Sequence, residues 1–152
     1  MITRRDLFVA TAAVVATVAA MAFAQTTTTP IMGSRVFNWK DMKVDQTKVG
    51  ERRAVFDART TNLNKFEGHI TTLNPGEMPH AAHRHAHEEM MIVKEGTLET
   101  EQNGVKTRVE AGGIIFQASN DMHGLRNVGA GRATYFVLTW YPHDLVEAPP
   151  AK

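Results

Sequence analysis

The chain has 152 residues, a one-domain length, and 43% of them are hydrophobic, enough for a core. It contains no cysteine, which excludes disulfides, thiolate metal sites, cysteine nucleophiles and a lipid-modified cysteine at a signal cleavage point. The formal charge is +1, and without Arg4, Arg5 and Asp6 the basic and acidic residues balance at 15 each, so no basic face argues for nucleic acid.

Residues 1–24 read as a signal peptide. Arg4-Arg5 opens a short basic start, Val9 to Met21 is rich in Ala, Val and Thr, and Ala22-Phe23-Ala24 is a small-x-small cleavage site that leaves Gln25 first. The arginine pair followed by Leu7-Phe8 resembles a twin-arginine signal, a pattern read by a receptor. The competing reading is an uncleaved anchor, since Leu7 to Ala24 reaches the lower limit of about 18 residues for a span. Thr11 and Thr17 make that stretch only weakly apolar. The expectation is therefore an exported, periplasmic protein without stable membrane association after cleavage.

Residues 25–34 are expected to be a disordered linker, 35–143 the folded domain, and 144–152 a disordered, proline-containing tail. Ile31 to Trp39 is expected to dock as a first short strand, and Lys40 to Gly50 to be loop. Strands are expected at Arg52–Ala58, Phe66–Leu73 and Met90–Val93, the last an apolar run buried on both faces. Thr97–Gln102 and Val105–Glu110 flank Asn103-Gly104, a strong hairpin signal. Further strands are expected at Ile114–Gln117, Met122–Asn127 and Arg132–Tyr141. No segment after residue 24 sustains helical periodicity. Many short strands with Gly and Pro turns predict an all-β sandwich or barrel, best fitted by a double-sheet jelly roll.

The organising stretch runs from Asn74 to Gly96 and holds His80, His83, His85, His87 and Glu89. On an extended strand His83 and His85 leave the same face, and Glu89 follows four residues later. Three such side chains converging at one point would bind a transition metal. A second stretch, Ala111 to Asn127, adds His123 just after a tight turn, where Asn120 tolerates positive φ. His69 shares parity with Thr71 and Leu73, so it is a candidate to face the interior and act as base or orient substrate. His80 reads as a loop residue at the pocket entrance, His87 as a rim residue, and His143 as plain surface. Asn127 reads as a turn cap rather than a ligand.

These two stretches resemble the two motifs of the cupin superfamily. The first motif, G-x5-H-x-H-x3,4-E-x6-G, meets Gly76, six residues rather than five, then His83, His85, Glu89 and Gly96. The second, G-x5-P-x-G-x2-H-x3-N, meets Gly112, Ala118, Asn120, His123 and Asn127, with Ala for Pro and Asn for Gly. The resemblance covers about residues 66 to 140, and no departure touches a ligand position. It implies a double-stranded β-helix, a metal held by His83, His85, Glu89 and His123, and two open coordination positions where chemistry occurs. It also implies a homodimer.

Zinc prefers fewer protein ligands, so this set suits Mn, Fe, Ni or Cu better. Export of an already folded protein places metal loading in the cytoplasm, which favours Mn or Fe over Cu, Ni and Zn. The leading expectation is a metal-dependent enzyme on a small oxygen-bearing organic substrate, dioxygenase-like in the manner of quercetinases. Glu89 is then both ligand and catalytic base, with His69 the second catalytic candidate. The alternatives are a non-catalytic cupin that binds a sugar, a small ligand or the metal itself, and a metal-dependent lyase or isomerase.

Overall fold

The computed structural model describes residues 30–145. The signal peptide, residues 25–29 of the expected linker and the tail from residue 146 lie outside the described residues. Among the described residues no helix is long and apolar enough to cross a membrane.

Nine strands carry the fold: β1 (Asp45–Thr47), β2 (Gly50–Ala58), β3 (Lys65–Leu73), β4 (Glu88–Glu95), β5 (Thr97–Gln102), β6 (Val105–Glu110), β7 (Ile114–Gln117), β8 (His123–Asn127) and β9 (Ala133–Tyr141). They form a six-stranded sheet in the order β1-β2-β3-β9-β4-β7 and a three-stranded sheet in the order β6-β5-β8. All of these pairings are antiparallel. This is the expected double-stranded β-helix, or jelly roll.

The register sets what faces the interior. Arg52 pairs with Thr71, and Thr71 with Tyr135. Two residues on, Ala54 pairs with His69, His69 with Val137, and Val137 with Met91. Two further on, Glu67 pairs with Thr139, Thr139 with Glu89, and Glu89 with Gln117. Because side chains alternate along a strand, Glu67, His69 and Thr71 share one face of β3. On the smaller sheet Leu98 pairs with Asn127, Thr100 with Leu125 and Gln102 with His123. The buried core gathers Leu73, Met91, Val93, Leu98, Ile115, Leu125, Ala133, Tyr135 and Val137.

Two turns show how sequence fixes this geometry. Asn103 and Gly104 both have positive φ, 49° and 85°, matching the right-handed twist of the β5–β6 hairpin. Gly96 has φ +84°, and a Cβ there would lie 2.6 Å from the Ala133 Cα, so β4 can turn into β5 against β9 only through glycine. Asn127 is fully buried. Its amide donates to the carbonyls of Leu73 (3.1 Å) and Gly131 (2.8 Å), and its Oδ1 accepts from Gly129 N–H (3.0 Å). It is the turn-capping residue the sequence predicts, tying β3 to the β8–β9 connection.

Three local expectations are corrected. Ile31 to Trp39 is not a strand: Ile31 makes one isolated bridge to Arg59. The segment is instead pinned by aromatic rings. Phe37 sits 5.5 Å from Phe56, and Trp39 6.5 Å from Phe136, with Arg53 and Lys94 over its ring at 4.8 and 4.6 Å. The expected loop at 40–50 contains β1, which forms because the turn at 48–49 folds it back on β2. In β4, Met91 and Val93 are buried, but Met90 and Ile92 are only partly covered. Their outward face is shared with exposed Ile114 and Phe116 on the edge strand β7.

Candidate metal centre

His83, His85 and His123 come together, each offering a ring nitrogen within 4.8 Å of the other two. Their ring centroids are 4.7 to 5.2 Å apart. His83 and His123 exchange backbone hydrogen bonds, His83 N–H to His123 O at 2.9 Å and His123 N–H to His83 O at 2.8 Å. That isolated bridge, rather than a continuous strand, brings the first stretch onto β8.

Hydrogen bonds fix two of the imidazole tautomers. Nδ1 of His85 lies 2.7 Å from the His87 carbonyl, and Nδ1 of His123 lies 2.9 Å from the Asp121 carbonyl. A carbonyl only accepts, so both Nδ1 atoms carry the proton and both Nε2 atoms hold a lone pair. The Nε2 of His123 and the Nδ1 of His83 are buried without a hydrogen-bond partner. Buried ring nitrogens left unpaired are costly in a protein and natural in a metal site. Burial, then the neighbouring imidazoles, pushes His83 down to about 4. Burial also lowers His123, against its bond to Asp121. Both rings are therefore neutral at pH 7, the form that binds metal.

Glu89 does not join this set of nitrogens, although it lines the same cavity as His123. Burial first, and the Glu67 carboxylate second, push its carboxyl up to about 7. It is therefore poised to exchange a proton near neutrality or to become an anionic ligand beside a cation.

His69 lines the cavity too, as its parity on β3 predicts. Burial, then the Arg52 charge, pushes it down to about 4, while Glu67 opposes. Its Nδ1 is 3.4 Å from Glu67 Oε1 but lacks hydrogen-bond geometry. His80 also lines the cavity, its ring 4.3 Å from His83. His87 stacks flat on His85 at 3.6 Å and lies over Tyr141 at 4.3 Å, bracing the His85 ring. His143 bonds Asn64 at the surface.

The cavity holds about 340 Å³. Val49, Met91, Leu125 and Val137 give it apolar walls. Arg52, Thr71 and Tyr135 add polar atoms that the sequence reading missed. Their inward orientation depends on the β2-β3-β9 register. Glu67 was within reach of the parity rule that placed His69.

Residues 69–140 match the family model of the cupin domain, Cupin_2. A double-stranded β-helix protein of unassigned function from Klebsiella pneumoniae is 26% identical, with TM-score 0.58, covering 79% of this chain and 100% of its own. KdgF from Halomonas is 23% identical, with TM-score 0.59, covering 74% and 97%. An RmlC-like cupin from Shewanella frigidimarina is 14% identical, with TM-score 0.60, covering 74% and 95%. No curated protein matches. Fold, family match and histidine triad together support a small cupin, with three histidines able to hold a metal ion.

Proposed function

We propose that this site is the divalent-metal centre of an enzyme acting on a small oxygen-bearing organic molecule, with quercetinase-like dioxygenase chemistry as the leading reaction. The observation that carries the reading is the convergence of His83, His85 and His123, with unpaired buried nitrogens, beside an apolar cavity of about 340 Å³. His83, His85 and His123 hold the metal, and Glu89 is its fourth ligand when ionised. Mn or Fe is favoured over Cu, Ni and Zn, on the ligand set and on loading before export through a twin-arginine signal. When bound, such an ion polarises substrate oxygen and gives access to dioxygen.

The rest is the work of the protein's own groups. His87 and the Asp121 carbonyl hold two ligand rings in the metal-binding tautomer. The apolar walls exclude water and seat the substrate body. Glu89, with its carboxyl near 7, takes a proton from the substrate hydroxyl and can return it. His69, neutral at pH 7, orients the substrate through a ring nitrogen. A homodimer exported to the periplasm completes the proposal.

A second reading, a metal-dependent lyase or isomerase, is favoured by one observation. Glu89 stands apart from the histidine set with a pKa suited to a general base. Oxygen uptake by the metal-loaded protein with flavonols and diketones separates the two. Substrate-dependent uptake supports the dioxygenase. Turnover under strictly anaerobic conditions replaces it with the lyase or isomerase. No turnover of any kind moves the assignment to a ligand-binding cupin.

A further inference from the structure

Among the residues that line the cavity, Arg52 is the one lysine or arginine. Its partners leave most of it available. Nη2 donates to Glu67 Oε1 at 2.9 Å, its one hydrogen bond or ion pair among the described residues. A guanidinium has five N–H donors, so the fork retains a free edge. The side chain is 40% exposed, so that edge stays hydrated and reachable. Its charge also reaches the interior, adding to burial in holding His69 neutral.

The lining carboxyls do not cancel this charge. Glu51 is held by Arg132 Nη2 at 2.9 Å and lies 3.8 Å from Arg53 Nη2. Glu89 belongs to the proposed metal centre. Glu67, the carboxylate that Arg52 meets, is also held by Lys65 at 3.2 Å, so Arg52 is not needed to neutralise it. The apolar side chains of Met91, Leu125 and Val137 line the same cavity as Arg52 and His123. A molecule filling this space meets both apolar walls and a guanidinium.

We propose that Arg52 is an anion subsite and that the substrate is a small carboxylate with an apolar body. This deepens the metal-centre reading and rests on it for the orientation of the substrate. Arg52 pairs with the carboxylate through parallel N–H bonds, while the other end of the molecule faces His83, His85 and His123. Arg52 thereby selects charged over neutral molecules of the same shape.

The probes are salicylate and its neutral isostere salicylamide. Each is titrated calorimetrically into protein loaded with Mn²⁺, with metal content measured on the same sample. The wild type is expected to bind salicylate about tenfold more tightly or better, the scale of one charge-assisted hydrogen bond. Arg52→Gln is expected to lose that preference and keep its metal. Arg52→Lys keeps a point charge but not the fork, and retains part of the preference. Glu67→Gln leaves the guanidinium in place and keeps it in full. An equal affinity for the two probes in the wild type, an absence of binding by both, or an undiminished preference in Arg52→Gln overturns the inference. Failure of the metal-centre reading registers separately, as no bound Mn²⁺ in any sample. A salicylate preference that persists without metal and vanishes in Arg52→Gln still supports the subsite.

Discussion

Replacing His69 by Gln should change how stability depends on pH. Burial and Arg52 depress the folded pKa of His69 from 6.5 to about 4, and its side chain is 19% exposed. Above pH 6.5 the ring is neutral in both folded and unfolded chains, and its contribution is fully present. As pH falls from 6.5 towards 4, the unfolded chain takes up a proton that the folded chain refuses, so stability is lost. At pH 5 this one group costs the native state about 2 kcal/mol relative to pH 7. The assay is urea unfolding of chelator-treated protein at both pH values, wild type beside His69→Gln. The other depressed histidines titrate alike in both proteins and cancel in the comparison. The variant should lose about 2 kcal/mol less than the wild type on acidification. Equal losses would refute the claim that His69 is a desolvated, neutral wall of the cavity.

Other consequences are more direct. Asn127→Ala removes three hydrogen bonds, one buried and two part-buried, and should cost about 3 kcal/mol by urea unfolding; a cost below about 1 kcal/mol would show that water replaces them. Gly96→Ala combines positive φ with a steric overlap at Ala133, and should lower stability by roughly 2 kcal/mol or more, whereas Gly131→Ala, with open space around it, should stay within about 0.5 kcal/mol. Mn²⁺ or Fe²⁺ at a hundred times its dissociation constant should stabilise the chelated protein by about 2.7 kcal/mol, read as a rise in Tm. The His83→Ala, His123→Ala double variant should show no such rise.

Most of the β-structure is legible in the sequence because its signals are local. Asn103-Gly104 dictates a hairpin, and alternation in 133–141 dictates a strand whose inward side chains are Tyr135, Val137 and Thr139. The N-terminal segment is not legible: Phe37 and Trp39 act through contacts with rings on β2 and β9, which leave no period behind. The three histidines are legible from the two motifs that carry them, although 83–87 is irregular chain and not the extended strand that the spacing of His83 and His85 suggests. Glu89 is found in the cavity but outside the histidine set, because its reach is fixed by β4 pairing with β7 and β9. Arg52, Thr71 and Tyr135 form one row across three strands distant in sequence, and no single strand encodes that row.

The central claim is that His83, His85 and His123 hold a metal. Elemental analysis by mass spectrometry, on protein exported through its own signal and purified without chelators, tests it most directly. The His83→Ala, His123→Ala variant is run beside it. About one Mn or Fe per chain, absent from the variant, is the predicted result. Stoichiometric Cu would contradict the metal assignment. Metal equally present in both proteins, or absent from both, would contradict the site itself.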